Sequence, residues 1–517
     1  MKKYSWRRLL TVLAVSLTVA GFLAFALRQF LCRGGFLDLG LSWSRYAAPA
    51  GFPAFAVFFA PAFLLLFWLL ARTFAHKEFS EFIEPGMYHY YRTAKFGAKR
   101  IHLRVEKNRT SLLMVDAYRI VHLNETATVI IKFFLDDYRT DEIVRRMRRI
   151  YKIPRGQALK DFTETIDKVE LLITRDDICP ISYFDVDKID PFQTPVSAPY
   201  RMDLAITYRC NIDCSHCYNQ RKESPELGTA DWKKIIRKIW DIGIPHVVFT
   251  GGEPTLREDL VELVTYAEDT GMITGLLTNG VGLADGGYVG KLKEAGLDYV
   301  QVTIESPEEA IHNRMVRNDS FQQTVQGIRN ALAHSIHTIT NTTITRENAG
   351  GITSLVPFLK GLGVGSFAVN SIINAGRSRN QPFGFSEQEL IPILTALRNK
   401  AGEEDMKLTW YTPTCYCEFN PVELDLGVKQ CTAGKYNLAV EPDGTIIPCQ
   451  SFYRPLGNML TDDWERIYNG EFLTSLRNRE WRMEKCADCR WLATCGCGCP
   501  LQVTEDSYCC PDLLSNP

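Results

Sequence analysis

Three thiols dominate the chemistry open to this chain. Cys210, Cys214 and Cys217 stand in the run Tyr208-Arg209-Cys210-Asn211-Ile212-Asp213-Cys214-Ser215-His216-Cys217-Tyr218, a C-x3-C-x2-C spacing. Three thiolates suit a [4Fe–4S] cluster in which one of the four irons keeps no protein ligand. That open iron is a place where a substrate or cofactor can bind the metal directly. A zinc knuckle, or a chance group of cysteines, is the plainer reading of such a triplet. A second feature argues against it. Strand-like Val247-Val248-Phe249-Thr250 runs into Gly251-Gly252-Glu253-Pro254, which begins 34 residues after Cys217. A Gly-Gly turn before proline is common loop punctuation. Placed at the end of the strand that follows the cysteine loop, it carries much more weight.

The two motifs together resemble those of the radical S-adenosylmethionine (SAM) enzymes. The resemblance implies that the open iron chelates the amino and carboxylate groups of SAM. An electron passed to the sulfonium then releases methionine and a 5′-deoxyadenosyl radical, which abstracts hydrogen from an unreactive C–H bond. It implies also that Gly251 and Gly252 let backbone approach the SAM amino group and that Glu253 takes part in binding it. The cofactors carry such chemistry and the protein aims it.

A second set of cysteines lies downstream. Cys431 is followed by twelve residues, Gly444, four more residues and Cys449; then come Cys486-x2-Cys489-x5-Cys495-x3-Cys499 and the doublet Cys509-Cys510. This spacing resembles the SPASM domain, which in its full form holds two auxiliary [4Fe–4S] clusters. The resemblance assigns Cys431, Cys449 and Cys499 to one cluster. Cys486, Cys489, Cys495 and one of Cys509 or Cys510 go to the other. An additional upstream ligand for the first cluster has Cys415 and Cys417 as candidates, and Cys497 is surplus. Zinc is the alternative for Cys486–Cys499. The pattern departs from the sulfatase-maturing relatives at one point. Their aspartate base directly after the second SPASM cysteine is here Gln450, which takes no proton at neutral pH, so formylglycine formation is disfavoured. Glu441, Asp443 and Tyr453 are nearby alternatives as a base.

These groups need elements to hold them. From 201 to about 400, strand-like runs at 203–207, 247–250, 273–278, 299–304, 338–344 and 366–369 alternate with helical segments at 231–242, 259–269 and 321–334. Ser320-x-x-Gln323 reads as a capping box on the last of these helices. Alternation of this kind predicts parallel strands with helical crossovers, and six units match the partial (β/α)6 barrel of the resembled family. In βα barrels chemistry gathers at the C-terminal strand ends. The cysteine loop, Gly251-Gly252-Glu253-Pro254, Thr278-Asn279-Gly280, Glu305, Asn341 and Asn370 all fall at or near such ends. The resemblance makes Asn279, Glu305 and Asn341 candidates to line the SAM site.

The 517 residues exceed one domain. A net charge of −1 offers no overall attraction for nucleic acid, and none is expected as a partner. All cysteines but Cys32 and Cys179 lie in residues 210–217 and 415–510. Cluster thiols need reducing surroundings, so this part of the chain should face the cytoplasm. Residues 9–27 carry no charge, and at ~1.5 Å per residue they just span a ~30 Å hydrocarbon core. A second apolar stretch covers 52–71. Lys2, Lys3, Arg7 and Arg8 precede the first stretch and Arg72 and Lys77 follow the second, against Arg28, Arg33 and Arg45 between them. The sequence thus predicts a transmembrane hairpin over 1–76 with both ends cytoplasmic, hence a multi-pass inner-membrane protein. A cleaved signal peptide ending near Ala24-Phe25-Ala26 is the alternative.

Residues 99–173 read as a small unit of three strands (102–105, 111–115, 120–123) followed by three helices. Asn124 sits at the first N-cap, the second helix starts after Thr140 and the third after Pro154. This winged-helix-like arrangement, with Leu-Asn-Glu-Thr-Ala opening its first helix, resembles the PqqD-like peptide-recognition element. Such elements bind the leader of a ribosomally made precursor by strand addition, here at edge strand 119–123. A generic winged-helix domain that only packs on its neighbour is the alternative. Arg145, Arg146, Arg148 and Arg149 make its second helix basic, which fits a solvated face.

The expected architecture is therefore α/β. A hairpin anchor (1–76) and a PqqD-type domain (99–173) precede a radical SAM partial barrel (200–405) and a SPASM domain (406–517). The expected function is a membrane-anchored radical SAM enzyme that crosslinks or epimerises a ribosomal peptide. Its expected partners are that precursor peptide and an electron donor such as flavodoxin or ferredoxin. A SPASM enzyme acting on a small molecule such as a tetrapyrrole is the second reading. A non-catalytic electron-transfer or redox-sensing membrane protein is the third, and Gly251-Gly252-Glu253-Pro254 argues against it.

Overall fold

Alternating positions along the parallel strands decide how the larger part of this chain folds, because they give those strands one face for helices and one for chemistry. The structure, a computed structural model, describes residues 83–92, 99–116, 119–174, 196–219, 225–379, 381–482 and 484–502. It divides into two units, Pro85–Val144 with Gly156–Pro517, and Met1–Glu84 with Arg145–Arg155. The predicted hairpin at 1–76 lies outside the described residues. Among the described residues no helix is long and apolar enough to cross a membrane.

The small domain carries four strands, one more than the sequence predicts: β1 (Gly86–Arg92), β2 (Lys99–Val105), β3 (Ser111–Val115) and β4 (Arg119–Leu123). They form an antiparallel sheet in the order β1-β2-β3-β4, which leaves β4 at one edge as expected. The extra strand precedes residue 99. Its Tyr-His-Tyr-Tyr run has no simple apolar/polar alternation to announce it. Helices α1 (Glu125–Leu135), α2 (Thr140–Tyr151) and α3 (Arg155–Thr174) follow. Asn124 caps α1 as predicted, its Oδ1 accepting from the Ala127 amide at 2.9 Å. Along α3, Phe162, Ile166 and Val169 are buried at helical spacing, whereas Leu159, in register with them, is exposed.

The six predicted parallel strands are present: β5 (Arg201–Thr207), β6 (His246–Gly251), β7 (Ile273–Thr278), β8 (Tyr299–Thr303), β9 (His337–Ile344) and β10 (Ser366–Ser371). A seventh, β11 (Lys407–Trp410), extends them beyond the predicted boundary at 405 and pairs parallel with β10. On the other side β12 (Asn437–Val440) pairs parallel with β5, and β13 (Thr445–Ile447) and β14 (Gly457–Asn458) continue antiparallel. The C-terminal segment is thus the flank of one ten-stranded sheet in the order β11-β10-β9-β8-β7-β6-β5-β12-β13-β14. Leu204, Phe249, Leu276, Val302 and Val369 on one face join helix residues such as Ile235, Leu263 and Ile328 in the main core. By the two-residue period of a strand, the other face carries Asp203, Thr207, Thr250, Thr303, Asn341, Thr343 and Asn370.

The predicted capping box at Ser320 does not form. Asn313 Oδ1 takes the amides of Ser320 and Phe321 at 3.2 and 2.9 Å, and Ser320 Oγ is buried without a hydrogen-bond partner. The box that does form is Ser386 with Glu389.

Basic residues on β2 fasten the small domain to the barrel. Arg100 makes a bidentate pair with Glu268 (2.7 and 2.6 Å) and reaches Asp298 at 3.2 Å and the carbonyl of Met272. Arg104 donates to the carbonyls of Pro199 (3.0 Å) and Gly243 (3.1 Å). His102, fully buried, lies 2.8 Å from the Gly271 carbonyl and stacks on His89.

Candidate active site

The cysteine loop leaves β5 and is held by the ends of most of the strands around it. Asp213 and Ser215 amides donate to the carbonyls of Val316 and Met315, both at 3.0 Å. Asn279 Nδ2 donates to Asn211 Oδ1 at 2.7 Å, and Asn219 Nδ2 to the Gly251 carbonyl. After β10, the Arg377 amide donates to the Cys217 carbonyl at 2.9 Å and its guanidinium pairs with Asp213. Gly376, at φ +57°, lies so close that a Cβ would stand 2.0 Å from the Tyr218 carbonyl oxygen. Asn211, Asp213, Asn219 and Arg377 were not singled out from sequence, since single polar residues in loops carry no pattern.

Gly251-Gly252-Glu253-Pro254 serves this loop first. The Gly252 amide donates to the Thr207 carbonyl (2.7 Å) and the Glu253 amide to that of Arg209 (2.8 Å). A Cβ on Gly251 would stand 2.0 Å from Thr207 O, and one on Gly252 2.3 Å from Arg209 O. The two glycines therefore permit this backbone-to-backbone approach, whatever else they admit. Glu253 is fully buried. Its Oε1 accepts from Thr255 Oγ1 (2.6 Å) and Thr278 Oγ1 (2.7 Å), its Oε2 from the Asn279 amide (2.8 Å). Burial raises its pKa, while those hydrogen bonds act in the opposite sense.

Glu305 is also fully buried and engaged on both oxygens. Oε1 meets His216 Nε2 at 2.8 Å, and Oε2 accepts from the Thr343 amide at 2.8 Å. Burial disfavours the imidazolium of His216, but the facing carboxylate prevails and raises its pKa. Glu305 thus braces the residue between Cys214 and Cys217. Asn341 Nδ2 donates to Asn370 Oδ1 at 2.8 Å, leaving a buried Asn341 Oδ1 without a partner.

The thiols fall into groups. Burial, then the neighbouring Cys217, Glu305 and Cys210, pushes the Cys214 thiol well up. Burial and Cys431 push Cys449 up to about 12, and burial, Cys431 and Cys449 raise Cys499 well above its usual range. The expected set Cys431, Cys449 and Cys499 is thereby brought together. Bare thiols so packed repel each other's anions, and iron removes that repulsion by holding them as thiolates. Both sets suit cluster ligation. Cys497 does not stand apart as its surplus status suggested: burial and then Cys486 push it up to about 12, with Cys495 also near. Cys415, a candidate for the first auxiliary set, instead approaches Cys497, its Sγ 3.3 Å from that residue's carbonyl oxygen. Cys489 is half-buried and Cys417 exposed. Cys509 and Cys510 lie outside the described residues. Among the described residues no three His, Cys, Asp or Glu side chains converge on a single metal ion; in a four-iron cluster each thiolate sits on a different iron.

A cysteine loop braced at the C-terminal ends of parallel strands, followed by a cysteine-rich flank, defines a radical SAM domain joined to an iron–sulfur domain. Residues 204–354 match the radical SAM superfamily and residues 431–490 match the SPASM iron–sulfur cluster-binding domain. The chain is a radical SAM enzyme of the SPASM type, with SAM and [4Fe–4S] clusters as its cofactors. It is 28% identical over 323 residues to the Fe-coproporphyrin III synthase of Methanosarcina barkeri, covering 56% of this chain and 80% of that protein. Its fold is similar to Streptococcus suis SuiB bound to precursor peptide SuiA, with TM-score 0.58 and 16% identity over 80% of this chain and 95% of that one. SuiB bound to S-adenosylmethionine gives TM-score 0.55 and 16% identity over 77% and 94%.

Proposed function

We propose that this chain is a membrane-anchored maturase of a ribosomally made peptide. Its radical abstracts hydrogen from the peptide and leads to a crosslink or an epimerised centre. The observation that carries the reading is the small antiparallel sheet, clamped to the barrel through Arg100 and Arg104, with β4 at its edge. An edge strand offers a row of backbone donors and acceptors to an incoming segment. The similarity to SuiB, a protein described with a precursor peptide bound, supports it. In this reading β1–β4 and α1–α3 are a PqqD-like element, residues 1–76 hold the enzyme at the cytoplasmic face of the inner membrane, and flavodoxin or ferredoxin supplies electrons.

The Fe-coproporphyrin III synthase relative favours a second reading, a tetrapyrrole as substrate. Co-expression with each short reading frame found on inspection of the gene's neighbourhood, followed by mass spectrometry, separates the two. Loss of two hydrogens from the peptide, or solvent deuterium at one of its α-carbons, is the result expected. An untouched peptide, together with conversion of a tetrapyrrole to Fe-coproporphyrin III, would overturn the proposal.

A further inference from the structure

The turn after Cys449 holds Gln450, only 7% exposed, and among the described residues neither its buried Nε2 nor its buried Oε1 has a hydrogen-bond partner. Buried polar groups are normally paired, and an orphaned one points to a group that arrives later. An amide with both ends orphaned is rarer still, since it forfeits a donor and an acceptor together.

Its position is fixed by its neighbours. The Phe452 amide donates to the Cys449 carbonyl at 3.0 Å, so Gln450 stands at the corner of a tight turn. One residue beyond that turn, Tyr453 Oη lies 3.1 Å from Asn219 Oδ1 and 3.3 Å from the Tyr218 carbonyl oxygen. Asn219 in turn donates to the carbonyl of Gly251. Tyr453 packs with Ala439 and Ile447 of β12 and β13 against Tyr208, the residue that opens the cysteine loop. The Tyr208 hydroxyl donates to Glu441 at 2.9 Å. The turn is thus stitched to both ends of the cysteine loop and to Gly251, the glycine that ends β6.

We infer that Gln450 is a substrate-positioning residue that grips the backbone N–H and C=O of one residue of the peptide being modified. This deepens the proposed function and rests on it. A primary amide offers N–H donors and a carbonyl acceptor, the complement of the C=O and N–H that one extended peptide residue turns to the same side. A carboxylate of a tetrapyrrole would satisfy only the donor and leave Oε1 orphaned. The three polar groups nearest the turn that sequence offered as bases are engaged elsewhere: Glu441 accepts from Tyr208, Asp443 Oδ1 accepts from the Thr445 amide at 2.9 Å, and Tyr453 faces Asn219. Gln450 holds substrate; it moves no proton.

The test uses the holoenzyme, SAM, and the synthetic peptide encoded by the neighbouring short reading frame. That peptide is supplied unmodified and as a series with single backbone N-methylations. For the natural chain, N-methylation at one position should raise KM roughly 10-fold, the loss of one buried hydrogen bond. Gln450→Leu should raise KM for the unmodified peptide by a similar ~10-fold and erase the penalty at that same position. Gln450→Glu, which keeps an acceptor, is measured beside it and carries the test if the leucine variant fails to load iron. An unchanged KM with the N-methyl penalty retained would overturn the inference. So would a shifted auxiliary-cluster reduction potential with peptide discrimination intact, because the amide would then serve the cluster that Cys449 holds. If the natural chain neither binds nor modifies the peptide, the peptide reading itself has failed and this inference falls with it.

Discussion

At the scale of single residues, type and spacing pointed to the metal chemistry, and hydrogen bonding adds what the supporting residues hold in place. Cys210, Cys214 and Cys217 lie on one braced loop, so their joint replacement by alanine should abolish reductive SAM cleavage and spare the C-terminal iron. Three four-iron clusters hold about twelve irons, and the triple variant should retain about eight; an intact protein that loads only about four would overturn the two auxiliary sites. Glu305 was a candidate SAM contact on its position at a strand end. The structure instead sets its two oxygens against His216 and the Thr343 amide. Glu305→Gln weakens a buried charge-assisted hydrogen bond by about 2 kcal/mol. It should therefore lower iron retention in the loop while the loaded fraction keeps its KM for SAM. A raised KM with full iron would restore the ligand role. The glycines show why sequence could not settle such roles. Both a cofactor and a neighbouring backbone demand the absence of a Cβ, and only coordinates place Thr207 O and Arg209 O where that Cβ would be.

Among the elements, strands with strong alternation were legible, and pieces whose role depends on a distant partner were not. β5 to β10 were visible because each buries one apolar face; β11 and β12 are four residues each and gain their place only by pairing with β10 and β5. The Ser320 motif failed because Asn313, seven residues upstream, takes the Ser320 amide that Gln323 would have capped, and the Phe321 amide beside it. On β2, the polar side of the strand, Arg100, His102 and Arg104, is buried against barrel loops, a contact with no local mark in the sequence. This has a pH consequence. Burial lowers the His102 pKa to about 3, the Gly271 carbonyl opposing the shift and His89 and Arg100 reinforcing it. The unfolded chain, with a histidine near 6.5, binds a proton that the folded one refuses, so stability is full above that value and falls as pH drops toward about 3. At pH 5 the loss is about 2 kcal/mol. His102→Gln should flatten the fall in denaturation midpoint between pH 7.5 and 5; an equal slope in both proteins would remove His102 as its source. The edge strand carries its own prediction. Val121, paired with Leu113, lies mid-strand in β4, and Val121→Pro removes a ladder donor. Precursor-peptide affinity should fall about 10-fold or more in calorimetry. A well-folded variant with unchanged affinity would exclude β4 as the docking edge.

On the scale of the whole molecule, the cysteine-rich segment and the barrel are one sheet. Cys431 and Cys449 flank β12 and β13, which hydrogen-bond directly or through each other to β5, and β5 leads into the cysteine loop. The auxiliary thiols therefore hold a set position relative to Cys210, Cys214 and Cys217, as electron passage or substrate clamping between them requires. Arg100 and Arg104 fix the small sheet to the same body, so a peptide docked on β4 would meet a rigid platform. The order of the radical SAM and SPASM parts was legible in the sequence because one brings strand periodicity and both bring their own cysteine spacing. The joins were not, because a parallel pairing such as β12 with β5 spans more than two hundred residues and leaves no local trace. Residues 1–76 bring no motif to this arrangement, and among the described residues the hydrogen bonds named above around the cysteine loop come from residues after 200. Removing them should shift the protein from the membrane to the soluble fraction with SAM cleavage retained, measured as 5′-deoxyadenosine formed by the reduced, iron-loaded enzyme. A truncated protein that holds its full iron but no longer cleaves SAM would give the apolar segments a part in catalysis beyond tethering. One that is already soluble with those residues in place would remove the anchor altogether.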